Sequence, residues 1–275
     1  SLRTYRHSPN TGTRKSWAAG DAASRAVRLA WLVKQGEMGY PSALTEKTWG
    51  FYAVSFHKQR LSLPRPFTTY IIENILFKVA YPAEFHAQTA VEGAVILHDK
   101  IKSRLDKIEK IILTTQESAI RIISKIGNLY NPADRDHCLQ YMVAVSLIYG
   151  NLKADYYADN FANDPRIDRL REKMQIQEDP QFSKDYLALD KRSIANKIEI
   201  YFSDGSQPEK IQIEYPLGHQ RRRKESVPFL LRKFHDNITE HFPLEKVAQL
   251  TAMFSNLTLL EKIPVNIFME QLCKV

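Results

Sequence analysis

The sequence predicts an α+β protein in which mainly helical pieces at both ends flank an inserted α+β module. Three observations predict it. Apolar and small residues between Trp17 and Gln35 (Ala22, Ala26, Leu29, Ala30, Val33) recur at the 3.6-residue spacing of a helix. Between about Phe67 and Leu217, β-branched or alternating runs at Ile108–Thr115, Ile198–Phe202 and Lys210–Tyr215 interleave with helical ones. From Ser226 to Cys273 the pattern is helical again, with turns near Phe242-Pro243 and Ile263-Pro264. The expected divisions are residues 1–66, 67–217 and 218–275.

Taken in order, Leu2 to Ser16 is polar and reads as a loop around Pro9, Asn10 and Gly12. Arg14-Lys15-Ser16 leads into the first helix, and Gly36 marks its end, since glycine adopts the left-handed conformation that closes helices at little cost. Glu37 to Thr45 is turn-rich, and Thr45 before Glu46 and Lys47 predicts a cap for a short helix reaching Phe51. Val54 to Pro66, with Pro64 and Pro66, reads as a linker. Ile75 to Tyr81 is a β-rich run stopped by Pro82, and a helix is expected from about Phe85 to Lys100 on the spacing of Val91, Ala94 and Val95.

Ile108–Thr115 is expected to be a strand and Ala119–Ser124 a second one. Asn131-Pro132-Ala133-Asp134 is a turn that starts a helix running to Gly150, apolar enough to be buried on several sides. Lys153 to Lys191 is charged and helical in patches, including Pro165 to Met174, and offers no arguable chemistry. The last two β runs face each other across Asp204-Gly205-Ser206 as a hairpin.

Composition narrows the function classes. With 275 residues, 44% of them hydrophobic, the chain can bury a sizeable core, and no apolar run approaches the length of a membrane span. Two cysteines, Cys138 and Cys273, are too few for a disulfide framework or a self-contained iron–sulfur cluster. No metal site is expected and no cofactor. The net charge of +8 is spread among acids, with one dense run at Arg221-Arg222-Arg223-Lys224. Such a surplus suits a small polyanionic substrate in a cleft, and no nucleic acid or membrane partner is expected.

The chemistry is expected in Phe77 to Thr89, where Lys78, Glu84 and His86 surround a proline turn at a strand-to-helix junction. Loop geometry there can aim several side chains into one pocket, and helix N-terminal amides favour an anion.

The runs FKVAYPAEFHAQTAVEGA, RHSPNTGTRKSWAAGDAASRAVRLA, GEMGYPSALT, WGFY and DRDHCLQYMVAV resemble the MmgE/PrpD propionate-catabolism superfamily. The resemblance runs over nearly the whole chain, although the family's chains are much longer and this one begins partway through them. It implies a large all-helical domain, of which the two ends are pieces, and a smaller α+β lid. It places Lys15, just ahead of Gly20-Asp21-Ala22-Ala23, and Tyr141 in the family's cleft. Many members carry a histidine where this chain has Ala18.

The resemblance further implies a hydro-lyase that removes water from 2-methylcitrate, and also from citrate, without a metal. Such a reaction needs a base for a C–H proton beside a carboxylate, an acid for the departing hydroxyl, and cations for the carboxylates. His86, Glu84, Lys78 and Tyr141 are the catalytic candidates, with base and acid left unassigned. Lys15, Arg14, Arg25, Arg135 and Arg222 are the candidates for holding the tricarboxylate. A homodimer of the full-length protein is expected, cytoplasmic or, in a eukaryote, mitochondrial. The alternative is an inactive fragment or a binding module that keeps the lid fold and uses the basic patch at 221–224. On the family's layout the helices at both ends would pack against preceding ones, so exposed apolar faces are expected on them.

Overall fold

A computed structural model describes residues 12–63, 66, 68–69 and 73–273. Most of the expected loop over Leu2–Ser16, together with Pro64, Arg65 and the module boundary at Phe67, lies outside the described residues. The chain divides into a unit spanning 1–75 and a larger unit spanning 76–275.

In the first unit, helix α1 (Arg14–Lys34) takes up the periodic run and extends it to Arg14. It closes as expected at Gly36, whose φ is +103°. The Gly36 N–H donates to the Val33 carbonyl and the Glu37 N–H to that of Leu32, the paired bonds of a Schellman ending. None of its residues is buried, and Trp17, Val27, Leu29 and Trp31 are exposed. The expected short helix is displaced: α2 runs Phe51–Ser55. Glu46 rather than Thr45 provides the local acceptor, taking the Thr48 and Trp49 N–H groups at 2.7 and 2.6 Å.

The second unit is built on a four-stranded sheet of order β2-β1-β3-β4. Strands β1 (Ile108–Thr115), β3 (Asn196–Phe202) and β4 (Glu209–Ile213) fall on the three expected β runs. They pair antiparallel, with Ile111 opposite Ile200 and Ile198 opposite both Leu113 and Ile211. The edge strand β2 (Met174–Glu178) pairs parallel to β1 and lies in a segment that sequence reasoning gave to helix and loop. Its sequence, MQIQE, alternates but is too polar to stand out, as suits an edge strand.

Helix α3 (Gln88–Ile101) packs across β3 and β4 and against α6 (Leu139–Tyr149). The expected single helix from Asp134 is instead two pieces: α5 (Pro132–Arg135), capped by the Asn131 side chain, and then α6. Every residue of α6 from Leu139 to Ile148 is buried, as its unbroken apolarity predicts.

Two strand expectations are corrected. Ala119–Ser124 belongs to helix α4 (Glu117–Ile123), because the Gln116 carboxamide accepts the Ala119 N–H at 3.0 Å and starts a turn there. Ile75–Tyr81 forms no strand among the described residues; the Phe77 N–H donates to the Gly218 carbonyl at 3.2 Å. That approach requires glycine, since a Cβ at 218 would sit 1.9 Å from the Phe77 carbonyl oxygen.

The remaining helices are α7 (Asp159–Ala162), α8 (Pro165–Glu172), α9 (Pro180–Leu187), α10 (Arg223–Thr239), α11 (Leu244–Ser255), α12 (Leu257–Leu260) and α13 (Val265–Gln271). The last four gather a small core around Ile238, Val247, Leu250 and Met253. Pro243 and Pro264 begin α11 and α13, so the two expected turns fall in place. Both cysteines are free, Cys138 buried and Cys273 exposed.

Candidate active site

The segment before α3 is shaped by its own side chains. Glu84 precedes a 3-10 turn, Phe85–Ala87, and its carboxylate accepts the His86 backbone N–H at 2.8 Å. The same carboxylate accepts from His86 Nδ1 at 2.8 Å, so one side chain caps the turn and aims the imidazole. The proline turn is fixed at its carbonyls. Gln88 Nε2 donates to Tyr81 O and Ala83 O, and the Tyr157 hydroxyl donates to Pro82 O. From β3, Asn196 Nδ2 donates to the His86 carbonyl and to Thr89 Oγ1, both at 2.8 Å.

The other imidazole nitrogen meets a residue 100 positions away: the Tyr186 hydroxyl, at the end of α9, lies 3.2 Å from His86 Nε2. Burial alone would raise the Glu84 carboxyl, but hydrogen bonds and charge from His86, with help from His137, hold it below the ordinary value. Glu84 is therefore an anion that only accepts, which places the proton of neutral His86 on Nδ1 and leaves Nε2 to accept from Tyr186. Burial, and then the Glu84 charge, raise the Tyr186 hydroxyl, so it stays protonated near neutral pH. The three groups form a line along which a proton can be taken up at His86 Nε2 or released at Tyr186.

Lys78 is exposed near this line, with Nζ 5.2 Å from the centre of the Phe85 ring, while its carbonyl accepts from Lys233 Nζ at 2.6 Å. Tyr141 lies deeper. Its hydroxyl donates to the Tyr156 carbonyl at 2.6 Å, and burial pushes its pKa up to about 12. Its ring stacks on that of Tyr157 at 6.1 Å, and no hydrogen bond joins it to His86 among the described residues.

The candidate arginines are each engaged. Buried Arg135 pairs with Asp159 at 2.7 Å and donates to the Tyr157 carbonyl. Arg222 forks onto Glu92 at 2.8 and 2.9 Å and also pairs with Glu225. In the first unit, Arg14 and Arg25 share Asp21 at 3.0 Å each, and Lys15 is half-buried on the first turn of α1. The dense basic run is likewise dispersed: Arg221 donates to the Asp190 carbonyl and Arg223 lies over the Phe77 ring.

Sequence reasoning missed three contributors. Tyr186 sits in a stretch that offered no chemistry, and only the fold of α9 against α4 and the 3-10 turn brings it to His86. Asn196 opens a strand and reads as a turn residue. His137 stands in a quoted motif, yet its pairing with Asp136 at 2.8 Å and its buried Nε2, which has no hydrogen-bond partner among the described residues, are visible only in the fold.

Residues 81–259 match the MmgE/PrpD C-terminal domain, and residues 1–64 match the MmgE/PrpD N-terminal domain. The chain belongs to the MmgE/PrpD family. Within it, the chain is 53% identical over 274 residues to a 2-methylcitrate dehydratase of Escherichia coli K12, covering 98% of this chain and 56% of that protein. It is 56% identical over 255 residues to the mitochondrial 2-methylcitrate dehydratase of Yarrowia lipolytica, covering 92% and 49%. A 2-methylcitrate dehydratase-like protein of Aspergillus oryzae is 44% identical over 256 residues, covering 90% and 51%. The chain thus spans about half the length of the curated relatives it matches. No described helix is long and apolar enough to cross a membrane.

Proposed function

We propose that this MmgE/PrpD chain serves a hydro-lyase that converts 2-methylcitrate to 2-methyl-cis-aconitate by side-chain acid–base chemistry. The observation that carries the reading is the Glu84–His86–Tyr186 line, whose first two members lie within the family-like run FKVAYPAEFHAQTA. As the Tyr186 hydroxyl turns from His86 Nε2 to donate its proton to the departing hydroxyl, which leaves as water, the freed Nε2 takes the C–H proton beside a carboxylate; Glu84 holds the imidazole and balances the imidazolium, whose new proton then returns to the Tyr186 oxygen. Lys78 and Lys15 supply positive charge for the substrate, since a carbanion beside an ionised carboxylate is costly without it. Arg14, Arg25, Arg135 and Arg222 act in this reading through the carboxylates and carbonyls they already hold, as positioning groups, and Tyr141 supports the wall behind Pro82.

Citrate belongs to the same reading as a second substrate, because one methyl changes selectivity by only about 1–3 kcal/mol. So do the wider expectations: two helical ends forming one domain around a lid, a homodimer, and a cytoplasmic or mitochondrial site of action. The identity to proteins named 2-methylcitrate dehydratase over nearly the whole chain supports the reading. The test is dehydration of 2-methylcitrate followed by conjugated-alkene absorbance, with His86→Asn as comparison. Turnover that falls with the variant is expected; turnover unchanged in the variant contradicts the proposal.

A further inference from the structure

The contact between His86 and Tyr186 joins segments 100 residues apart, so neither end sets the distance by itself. His86 lies in a three-residue 3-10 turn, Phe85–Ala87, and Tyr186 is the last residue but one of α9. Both ends are tied to one short stretch of chain, residues 193–196, all of them buried. The Ser193 N–H donates to the Asp185 carbonyl at 3.3 Å, directly before Tyr186. Asn196 Nδ2 donates to the carbonyl of His86 itself at 2.8 Å.

The sheet fixes where Asn196 stands. The Ile194 N–H donates to the Glu214 carbonyl at 3.0 Å, and Asn196 opens β3 opposite Ile213 of β4. Its carboxamide is fixed as well. A carbonyl oxygen only accepts, so the amide nitrogen must face His86 O. Thr89 Oγ1 donates its own proton to Ile194 O at 2.5 Å and accepts the second amide N–H at 2.8 Å. Both donors of Asn196 are therefore used, one on the His86 turn and one on the first turn of α3, and a buried polar group so satisfied is held rigidly.

We propose that Asn196 is a positioning residue of the reaction, holding the His86 turn at the distance from α9 at which the Tyr186 hydroxyl meets His86 Nε2. It acts through the main chain of His86 and not on the reacting atoms. A shift of the turn by about one ångström would take the 3.2 Å contact beyond hydrogen-bonding distance. This inference rests on the hydro-lyase reading and adds to it the residue that sets the geometry of its proton-transfer pair.

The test compares Asn196→Ala and Asn196→Ser with Ile200→Val, a buried change farther along β3. All three are expected to lower Tm, since each removes a buried hydrogen bond or methyl group. The deciding readout is the change in the His86 Nε2 ¹⁵N shift on adding Tyr186→Phe. It is expected in full in the parent and in Ile200→Val, and reduced by at least about half in the Asn196 variants, as coupled sites require. In turnover of 2-methylcitrate, the Asn196 variants should lose about tenfold in kcat with KM nearly unchanged. Serine keeps a polar group in the strand but is too short to reach His86 O, so it gives the same reading should the alanine variant not fold. A full response to Tyr186→Phe in either Asn196 variant overturns the inference and leaves the hydro-lyase reading standing. So does an equal loss of response in Ile200→Val, which would make the effect one of stability alone. An Nε2 that ignores Tyr186→Phe already in the parent overturns the inference too, whereas only turnover indifferent to His86→Asn strikes the hydro-lyase reading itself.

Discussion

Two histidine–carboxylate pairs with a buried imidazole lie among the described residues of the second unit, and they differ in what the second ring nitrogen meets. His86 and His137 each place Nδ1 2.8 Å from a carboxylate, and both rings are buried. His86 Nε2 faces the Tyr186 hydroxyl, half-buried at the end of α9, whereas His137 Nε2 ends inside the core with no hydrogen-bond partner among the described residues. The carboxylates differ in the opposite sense, Glu84 being buried with its histidine and Asp136 reaching further toward solvent. A dyad becomes a device for moving protons only when its far nitrogen has an outlet. Without one it is a structural contact, and the His137–Asp136 pair is of that kind.

The largest expected effect breaks the first pair. His86→Asn should lower turnover of 2-methylcitrate by about 10³-fold, within the range of a lost general base, and should lower Tm as well, because the buried Glu84 carboxylate loses the imidazole that holds it. Tyr186→Phe removes only the outlet, and a loss of about 10²-fold in kcat with KM nearly unchanged is expected. His137→Asn should cost about tenfold or less in turnover, since it removes no reacting atom. A loss as large as that of His86→Asn would erase the distinction between the two dyads.

A stability measurement sharpens the same comparison. The folded-state pKa of Glu84 lies below its unfolded value, so its ionised form stabilises the fold above the usual carboxylate range near 4.3. That contribution is lost as pH falls through the lowered folded value. Glu84→Gln should therefore unfold at lower temperature than the parent at pH 7, and the gap should close as the pH drops below about 4. A gap independent of pH would mean that the carboxylate charge does not matter to the turn.

The sequence revealed those parts of this arrangement whose causes are local. Glu84 and His86 are two residues apart, and a carboxylate before a short helical turn is a capping signal that can be read directly. The strands at Ile108–Thr115 and Ile198–Phe202 declare themselves because both are rich in β-branched and apolar residues, which enter one core. Tyr186 could not be found that way, since its contact with His86 is made only after α9 has folded against α4. The edge strand Met174–Glu178 was hidden by its polarity. The isoleucines of Ala119–Ser124 gave a strand signal that the Gln116 cap overrode. Ile75–Tyr81 has the composition of a strand but joins no sheet among the described residues. For the arginines, residue type alone could not show that Arg222 is held by two carboxylates and Arg135 by one.

The most direct test of the central claim is the protonation pattern of the His86 ring, read from its ¹⁵N shifts in labelled protein at a pH where the imidazole is neutral. The His86→Asn spectrum supplies the assignment. The account predicts a proton on Nδ1, directed to Glu84, and a bare Nε2 whose shift changes in Tyr186→Phe. A proton on Nε2, or an Nε2 signal indifferent to Tyr186, would contradict it.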